Sequence, residues 1–219
     1  MKLGSLTIAT FTCNPFSTNS YVVHGDSDAI LIDASPFHPS EIETVAEYVE
    51  RNGLNVVRAL LTHGHIDHIL GCEALGRLFG VEWEIHAADF PLFQHAPDQA
   101  TMFGLTFPEG PDPLQTLGGL ETIELEDAVW RVRHTPGHSP GSVSFIDDDN
   151  GVAFVGDVLF SGSVGRTDLW EGSFPVLARS IERELLTLRD DIVVLSGHGP
   201  ETTIGVERVS NPFLADASA

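Results

Sequence analysis

Four residues that bind metals readily lie close together in one segment, which reads Thr62-His63-Gly64-His65-Ile66-Asp67-His68. Imidazole and carboxylate groups together suit zinc, iron or manganese. Side chains this close in sequence cannot all face one way on a regular helix or strand. A turn after a strand changes direction at each residue, and Gly64 permits a tight one. We therefore predict a metal site built on His63, His65, Asp67 and His68.

Three distant segments share one arrangement, in which a polar residue lies beside glycine. The residue is either at the end of an apolar strand or in a loop between two strands. They are Pro136-Gly137-His138, Gly156-Asp157 and Gly197-His198. Glycine lets the backbone turn sharply enough to aim a neighbouring side chain at a shared point. Each residue taken alone could be an ordinary loop residue. The recurrence of the arrangement favours convergence of all three on the metal site.

The elements that must position these residues alternate between β-rich and amphipathic runs. Helical spacing of apolar residues predicts helices at 39–52, 67–79 and 174–188. A turn signal at residues 25–28 predicts a hairpin between two early strands. The predicted strands are 6–11, 20–23, 29–32, 56–61, 82–86, 129–134, 142–146, 152–155 and 192–195. Strands with interspersed helices indicate two sheets with helices outside them.

Residues 87–120 interrupt this pattern, because they are rich in proline and glycine. We expect an irregular segment there, apart from a possible helix near residues 88–94. Long irregular segments inside a compact domain are often functional. The segment is therefore predicted to shape a substrate pocket, although no role can be assigned to its individual residues.

Taken together, these motifs resemble the metallo-β-lactamase superfamily. The first segment is similar to the HxHxDH signature of that family, and the other three follow in the family's order. The resemblance implies an α/β fold, an αββα sandwich of two mixed β-sheets with outer helices, in one domain spanning residues 1–219. It also implies two divalent metal ions, one held by His63, His65 and His138. The second would be held by Asp67, His68 and His198, and Asp157 would bridge both.

Within the superfamily the chain is most similar to compact glyoxalase II-like proteins, the hydroxyacylglutathione hydrolases. The features that carry this likeness are the complete second ligand set, Gly165-Arg166-Thr167-Asp168 and the ending 197–203. The likeness implies hydrolysis of a small-molecule thioester such as S-lactoylglutathione by a metal-bridging hydroxide. Zinc is the expected metal, with iron or manganese as alternatives. Asp67 is the candidate catalytic residue that positions the water, although a metal ligand is a poor free base.

One departure from the larger glyoxalase II enzymes concerns glutathione. Those enzymes carry a C-terminal helical domain whose basic and aromatic residues grip the peptide. The residues after His198 include one basic residue, Arg208, so we expect no such domain here. Thioester hydrolysis is therefore better supported than glutathione specificity.

A second enzyme class also resembles the chain. Persulfide dioxygenases share the histidine cluster and the Gly-Arg-Thr-Asp segment, and they hold one iron. The residues that match their ligands are His63, His138 and Asp157, a set that leaves positions open for oxygen. The second ligand set favours the hydrolase over the dioxygenase. It also favours the thioester hydrolase over a drug-hydrolysing β-lactamase.

The charge of the chain limits its partners. Thirty-two acidic and 11 basic residues give a formal net charge of -21, and Lys2 is the only lysine. Such a field repels nucleic acid and anionic membranes, so neither is expected as a partner.

Two cysteines, no signal peptide and no apolar run of membrane-spanning length predict a cytoplasmic protein. The oligomeric state stays open.

Four further residues have a predicted supporting role. Asp33, at the end of a buried strand, is expected to orient the histidine segment. Arg166 is expected to pair with Asp168 near the site, with contact to an anionic substrate as the alternative. His134 and Cys72 lie outside the motifs and are predicted to be structural.

Overall fold

The computed structural model describes residues 1–107, 115–118 and 122–214. Within them the strands are β1 (Lys2–Leu3), β2 (Leu6–Cys13), β3 (Thr18–His24), β4 (Asp28–Ile32), β5 (Asn55–Leu60), β6 (Trp83–His86), β7 (Gln115–Leu117), β8 (Thr122–Leu125), β9 (Ala128–His134), β10 (Val143–Asp147), β11 (Val152–Gly156), β12 (Leu159–Phe160), β13 (Ser163–Val164), β14 (Val193–Ser196) and β15 (Thr202–Thr203). The helices are α1 (Pro39–Arg51), α2 (Ile66–Ile69), α3 (Cys72–Phe79), α4 (Phe90–Gln94), α5 (Ala96–Met102), α6 (Phe174–Ser180) and α7 (Ile204–Ser210).

Two mixed sheets form the centre of the molecule. The first has the order β1-β2-β3-β4-β5-β6-β7, antiparallel up to β4 and parallel from β4 to β7. The second has the order β15-β14-β11-β10-β9-β8, in which only β11 and β14 run parallel. β12 and β13 form a separate two-stranded ribbon.

Three apolar clusters define the layers. The cluster between the sheets takes residues from both, and its rings pack edge to face or tilted, with Phe154 5.3 Å from Tyr21 and 5.5 Å from Trp130. A second cluster joins the outer face of the first sheet to α1 and α3. A third joins the outer face of the second sheet to α6 and α7. The predicted αββα sandwich is therefore confirmed.

The predicted helix at 67–79 differs from the structure, which breaks it into α2 and α3. The carbonyl of His68 accepts the N–H of Ala34, and the N–H of Gly71 is donated to the carbonyl of Ala34, each at 2.7 Å. A Cβ on residue 71 would lie 3.1 Å from that carbonyl oxygen. Backbone pairing with the segment after β4 therefore replaces the helix here.

Residues 87–120 are more regular than expected. A 3₁₀ turn at Ala87–Asp89 leads into α4, and α5 and β7 follow. Pro91 and Pro97 lie in the first turns of α4 and α5, where the missing N–H has no intrahelical partner to lose. The prolines therefore begin helices rather than break them. The part of this prediction at 108–114 and 119–120 lies outside the described residues.

The last predicted helix also changes character along its length. α6 is regular as far as Ser180, and residues Ile181–Leu185 continue it as a π-helical turn.

The predicted hairpin is present as β3 and β4, with Tyr21 opposite Ile32. In the described part of the chain, none of the helices has the length and apolar character that crossing a bilayer requires.

Candidate metal centre

The candidate ligands follow the ends of strands, and the two sheets bring those ends to one edge. The histidine loop, residues 62–68, follows β5, while Asp157 and His198 follow β11 and β14. The His138 loop, residues 135–142, joins β9 to β10. The two sheets meet here, since the N–H of Asn19 in β3 is donated to the carbonyl of Gly197 at 2.7 Å.

A first group consists of three imidazoles. His65 Nδ1 lies 2.7 Å from His138 Nε2, which lies 3.2 Å from His63 Nε2. All three residues are buried. Their nitrogens are close enough to share one metal ion.

A second group is mixed in charge. Asp67 Oδ2 lies 3.5 Å from His68 Nε2 and 3.2 Å from His198 Nε2. The Thr18 hydroxyl donates to the same oxygen at 2.8 Å, which holds the carboxylate in place. These three candidate ligands also lie close enough to share one metal ion.

Asp157 lies between the two groups. Its Oδ2 is 3.6 Å from His138 Nε2 on one side and 3.4 Å from His198 Nε2 on the other. Its Oδ1 is 3.3 Å from His68 Nε2. The structure thus brings together all seven residues that the sequence predicts as ligands.

The hydrogen bonds around the rings show that these groups fit metal ions. His138 Nδ1 donates to the carbonyl of Arg166 at 2.8 Å, which in the neutral ring places the lone pair on Nε2. The Thr62 hydroxyl donates to Asp33 and therefore accepts from His63 Nδ1, which leaves a lone pair on His63 Nε2. Two lone pairs then face each other across 3.2 Å. A cation between them removes this repulsion.

The same conclusion follows from buried polar atoms. Among the described residues, five buried side-chain atoms form no hydrogen bond, and three of them, His65 Nε2, His68 Nε2 and Asp157 Oδ1, belong to this site. Buried polar atoms are normally paired, because an unpaired one loses its hydration without compensation. Nitrogen and carboxylate oxygen are donor atoms suited to zinc or iron.

The pKa shifts separate the two groups. Burial, with neighbouring imidazoles adding to it, holds the pKa of His63 well below its ordinary value and lowers that of His65 to about 3. For Asp67 burial acts in the opposite direction, but His68 and His198 outweigh it and the pKa falls to about 2. His63 and His65 of the first group are therefore neutral imidazoles, and the second group contains an ionised carboxylate.

Asp33 lies where the sequence places it, directly after β4, in a left-handed conformation with φ 60°. Its carboxylate accepts the Thr62 N–H at 2.7 Å and the Thr62 hydroxyl at 2.9 Å, and it accepts from His68 Nδ1 at 2.8 Å. One carboxylate thus orients a histidine of each group, His63 through Thr62 and His68 directly.

Asp89 was not predicted from the sequence. It is fully buried and accepts the N–H of Gly64 at 2.9 Å, the N–H of Gly141 at 2.5 Å and the Ser139 hydroxyl at 2.7 Å. It therefore fastens the histidine loop to the His138 loop. Burial raises the pKa of this carboxyl, although the three hydrogen bonds oppose the shift. The only sequence signal is an acidic residue just before the apolar start of α4.

The glycines that flank the ligands act in two ways. Gly156 has φ 51°, and Gly137 has φ 131°, so both make the turns that the sequence indicates. Gly197 instead provides space, because a Cβ there would lie 2.6 Å from His68 Cε1. Close packing rather than turn geometry explains this third glycine.

The other predicted residues have structural contacts. Arg166 is exposed, and its guanidinium donates to both oxygens of Asp168 at 2.7 and 2.8 Å. His134 stacks on His86 with ring centroids 4.3 Å apart and pairs with the Pro140 carbonyl. Cys72 is fully buried.

Comparison with known proteins places this arrangement in context. The family model described as the metallo-beta-lactamase superfamily matches residues 13–198. Hydroxyacylglutathione hydrolase GloC of Haemophilus influenzae is 41% identical over 207 residues, which cover 93% of this chain and 95% of that protein.

Two solved structures show the same fold. The first is TTHA1623 in a di-iron-bound form, with a TM-score of 0.84 and 36% identity; the match covers 94% of this chain and 100% of that one. The second is the B3 metallo-beta-lactamase BLEG-1, with a TM-score of 0.82 and 33% identity, covering 95% and 100% of the two chains.

Proposed function

Because this chain belongs to the metallo-beta-lactamase superfamily, we propose that it is a dinuclear metal hydrolase that cleaves a thioester such as S-lactoylglutathione. The observation that carries the proposal is the proximity of Asp67, His68 and His198, which offers a complete second ligand set. The 41% identity to a hydroxyacylglutathione hydrolase supports the thioester as the bond that is cleaved.

In this proposal each metal has its own ligands. His63, His65 and His138 would hold the first metal, Asp67, His68 and His198 would hold the second, and Asp157 would contribute to both sites. Two divalent cations there would lower the pKa of a water molecule and polarise the thioester carbonyl. Asp67 would position the attacking water, and the Thr18 hydroxyl, which donates to Asp67 Oδ2 at 2.8 Å, holds that carboxylate in place.

The reaction balances without a serine or cysteine nucleophile. Water adds its oxygen to the carbonyl carbon, and the carbon–sulfur bond breaks with its electron pair leaving on sulfur. The sulfur takes up one proton from water and leaves as the thiol. The acyl product leaves as a carboxylate, and the second proton is released.

The proposal also covers the identity of the metal, the cellular location of the protein and the extent of its domain. Zinc is the first choice because the donor set is nitrogen and oxygen, and the di-iron form of a 36% identical structure supports iron as the alternative. Cys13 and Cys72 are buried and free, which supports a reducing, cytoplasmic setting. We also propose that residues 1–219 form one domain.

The test combines metal content with a substrate panel. Protein purified without added metal is expected to carry two metal ions per chain and to hydrolyse at least one member of a thioester panel that includes S-lactoylglutathione. His198→Ala is expected to lose one ion and about a hundredfold in kcat/KM, because a Lewis acid supplies several kcal/mol to such a reaction. His95→Ala is the matched control, since His95 is a surface histidine with 70% of its side chain exposed.

Two results would overturn the proposal. One is a single iron per chain with oxygen consumption on glutathione persulfide, unaffected by His198→Ala, which would establish the dioxygenase instead. The other is cleavage of a cephalosporin without cleavage of any thioester.

A further inference from the structure

A cavity of about 430 Å³ opens directly beside the candidate metal centre. His65, Asp67 and His198 contribute to its floor. Its walls are mostly apolar, and the residues that form them are Phe16, Leu92, Met102, Phe103, Leu169 and Trp170. A substrate whose carbonyl reaches the metal ligands must therefore place another part of itself against these side chains.

The walls are exposed to solvent to an unusual extent for large apolar side chains. Met102 is 81% exposed, Phe103 52% and Trp170 47%. Phe16 packs edge-on against Phe103, with ring centroids 5.0 Å apart. Single exposed apolar residues occur on most proteins, but several that line one cavity form a patch that binds something apolar.

These walls are tied to the metal centre. The Gln99 side chain accepts the N–H of Ile66 at 3.1 Å and donates to the carbonyl of Leu92 at 2.8 Å, which fixes α5 against the histidine loop. On the other side Asn14 donates to the carbonyl of Asp67 at 2.8 Å and accepts the N–H of Phe16 at 2.9 Å. The apolar surface therefore has a defined position relative to the reacting atoms.

Charge is the second observation. Among the described residues that line the cavity, Arg166 is the only arginine or lysine, and Asp168 already neutralises it through two hydrogen bonds. The chain as a whole carries a formal charge of -21. Glutathione has two carboxylates, and among the described residues of these walls no cationic side chain besides Arg166 is available to match them.

We infer that the preferred substrate is a thioester with an apolar acyl group, an alkyl chain or aryl ring that packs against Phe16, Phe103 and Trp170, on an uncharged thiol. This inference rests on the proposed function and sets its substrate class. S-Lactoylglutathione, with a small polar acyl group and an anionic thiol, is then a poor substrate rather than the physiological type.

The first experiment compares three thioesters on the metal-loaded protein: S-octanoyl-N-acetylcysteamine, S-acetyl-N-acetylcysteamine and S-lactoylglutathione. The octanoyl compound is expected to have a kcat/KM at least about tenfold above the other two, since each methylene that fills an apolar pocket favours the longer substrate. Phe103→Ser is expected to reduce the octanoyl-to-acetyl ratio about tenfold. Phe213→Ser, a phenylalanine 48% exposed outside the cavity, is the matched control and keeps the ratio.

The second experiment measures binding without chemistry. Trp83 and Trp130 are fully buried, so acrylamide quenching of fluorescence reports on Trp170, which is 47% exposed. The octyl thioether of N-acetylcysteamine is expected to protect Trp170 from the quencher, and the methyl thioether is not. Phe103→Ser is expected to weaken that protection about tenfold in apparent Kd.

The outcomes separate this inference from the proposed function. Thioester cleavage with S-lactoylglutathione preferred would overturn the inference alone. Protection by the octyl thioether without cleavage of any thioester would overturn the proposed function and leave the apolar preference of the cavity. Absence of protection, or protection of Trp170 by self-association of the chain instead, would overturn the inference.

Discussion

Asp33 and Asp89 are both buried aspartates that hold the histidine loop, but they hold different parts of it. Asp33 contacts the imidazole of His68 and reaches His63 through the Thr62 hydroxyl. Asp89 accepts hydrogen bonds from the backbone N–H groups of Gly64 and Gly141 and from a serine hydroxyl, and none of these three donors is a candidate ligand side chain. Asp33 therefore sets ring orientation, and Asp89 sets the distance between two loops.

The difference shows two independent requirements of such a site. A histidine can bind a metal only if the nitrogen that faces it carries a lone pair, and a hydrogen bond at the other nitrogen decides this. The loops must also lie at the right separation, which backbone hydrogen bonds decide. Substitutions that keep side-chain size can remove one requirement at a time.

The largest effect is expected from Asp33→Asn. The new amide keeps an acceptor for the Thr62 N–H but presents an NH₂ group to His68 Nδ1, which favours the tautomer with a proton on Nε2. Affinity for the second metal is expected to fall about 10- to 100-fold, as is usual when a group that orients a ligand is changed. Chelator competition measures it.

Asp28→Asn, at the other end of β4, is the control and is expected to keep both metals, because Asp28 pairs only with Asn55 among its side-chain contacts in the described structure. Unchanged affinity for both metals in Asp33→Asn would contradict the assignment of ring orientation to Asp33.

An intermediate effect is expected from Asp89→Asn. One of the two backbone N–H groups then faces another donor and is left unpaired in the interior. The free energy of unfolding in urea is expected to fall by about 2 kcal/mol. Ser139→Ala removes only one donor and leaves the carboxylate paired with Gly64 and Gly141, so it is expected to cost about 1 kcal/mol. If Ser139→Ala lowered the free energy of unfolding more than Asp89→Asn does, the backbone contacts of Asp89 would not be the main source of its stabilising effect.

The smallest effect is expected from Glu126→Gln, because Glu126, unlike Asp33 and Asp89, is exposed to solvent. Glu126 is fully exposed and accepts the N–H groups of Asp26, Ser27 and Asp28 at 2.9, 2.8 and 2.8 Å. These bonds lower its pKa from 4.5 to about 2, with the Asp28 N–H contributing most.

Because the folded-state pKa lies below the unfolded value, Glu126 stabilises the fold above about pH 4.5 and loses that contribution as the pH falls towards 2. The difference in urea midpoint between Glu126→Gln and the unchanged chain is therefore expected to be small at pH 7 and smaller still near pH 2. A difference that grows on acidification would reverse the sign of this linkage.

Much of the site was predictable because its ligands are side chains of unusual chemistry in unusual places. A histidine or aspartate beside glycine at the end of an apolar strand is visible in the sequence, and so is Asp33 at the end of β4. Asp89 was not visible, because two of its three partners are backbone N–H groups lying 25 and 52 residues away along the chain, and the third is a serine hydroxyl. Backbone groups carry no residue-specific signal.

The elements show the same limit. Apolar periodicity predicts the helices and strands, but the break at Gly71 depends on the Ala34 backbone, which the chain meets only after folding. In the segment 87–102 the helix near residues 88–94 was predicted and is present as α4, but α5 was missed, because prolines at helix starts and prolines in loops look alike without the three-dimensional structure.

The sequence by itself determined the ligand types, their order and the layered fold, because these follow from side-chain chemistry and from the periodicity of apolar residues. Tertiary structure alone decided which nitrogen of each histidine faces the centre, which loop each buried aspartate fastens, and that an apolar wall stands beside the candidate metal ligands. The physical reason is that orientation and separation arise from contacts between segments distant along the chain, and local sequence does not encode those distances.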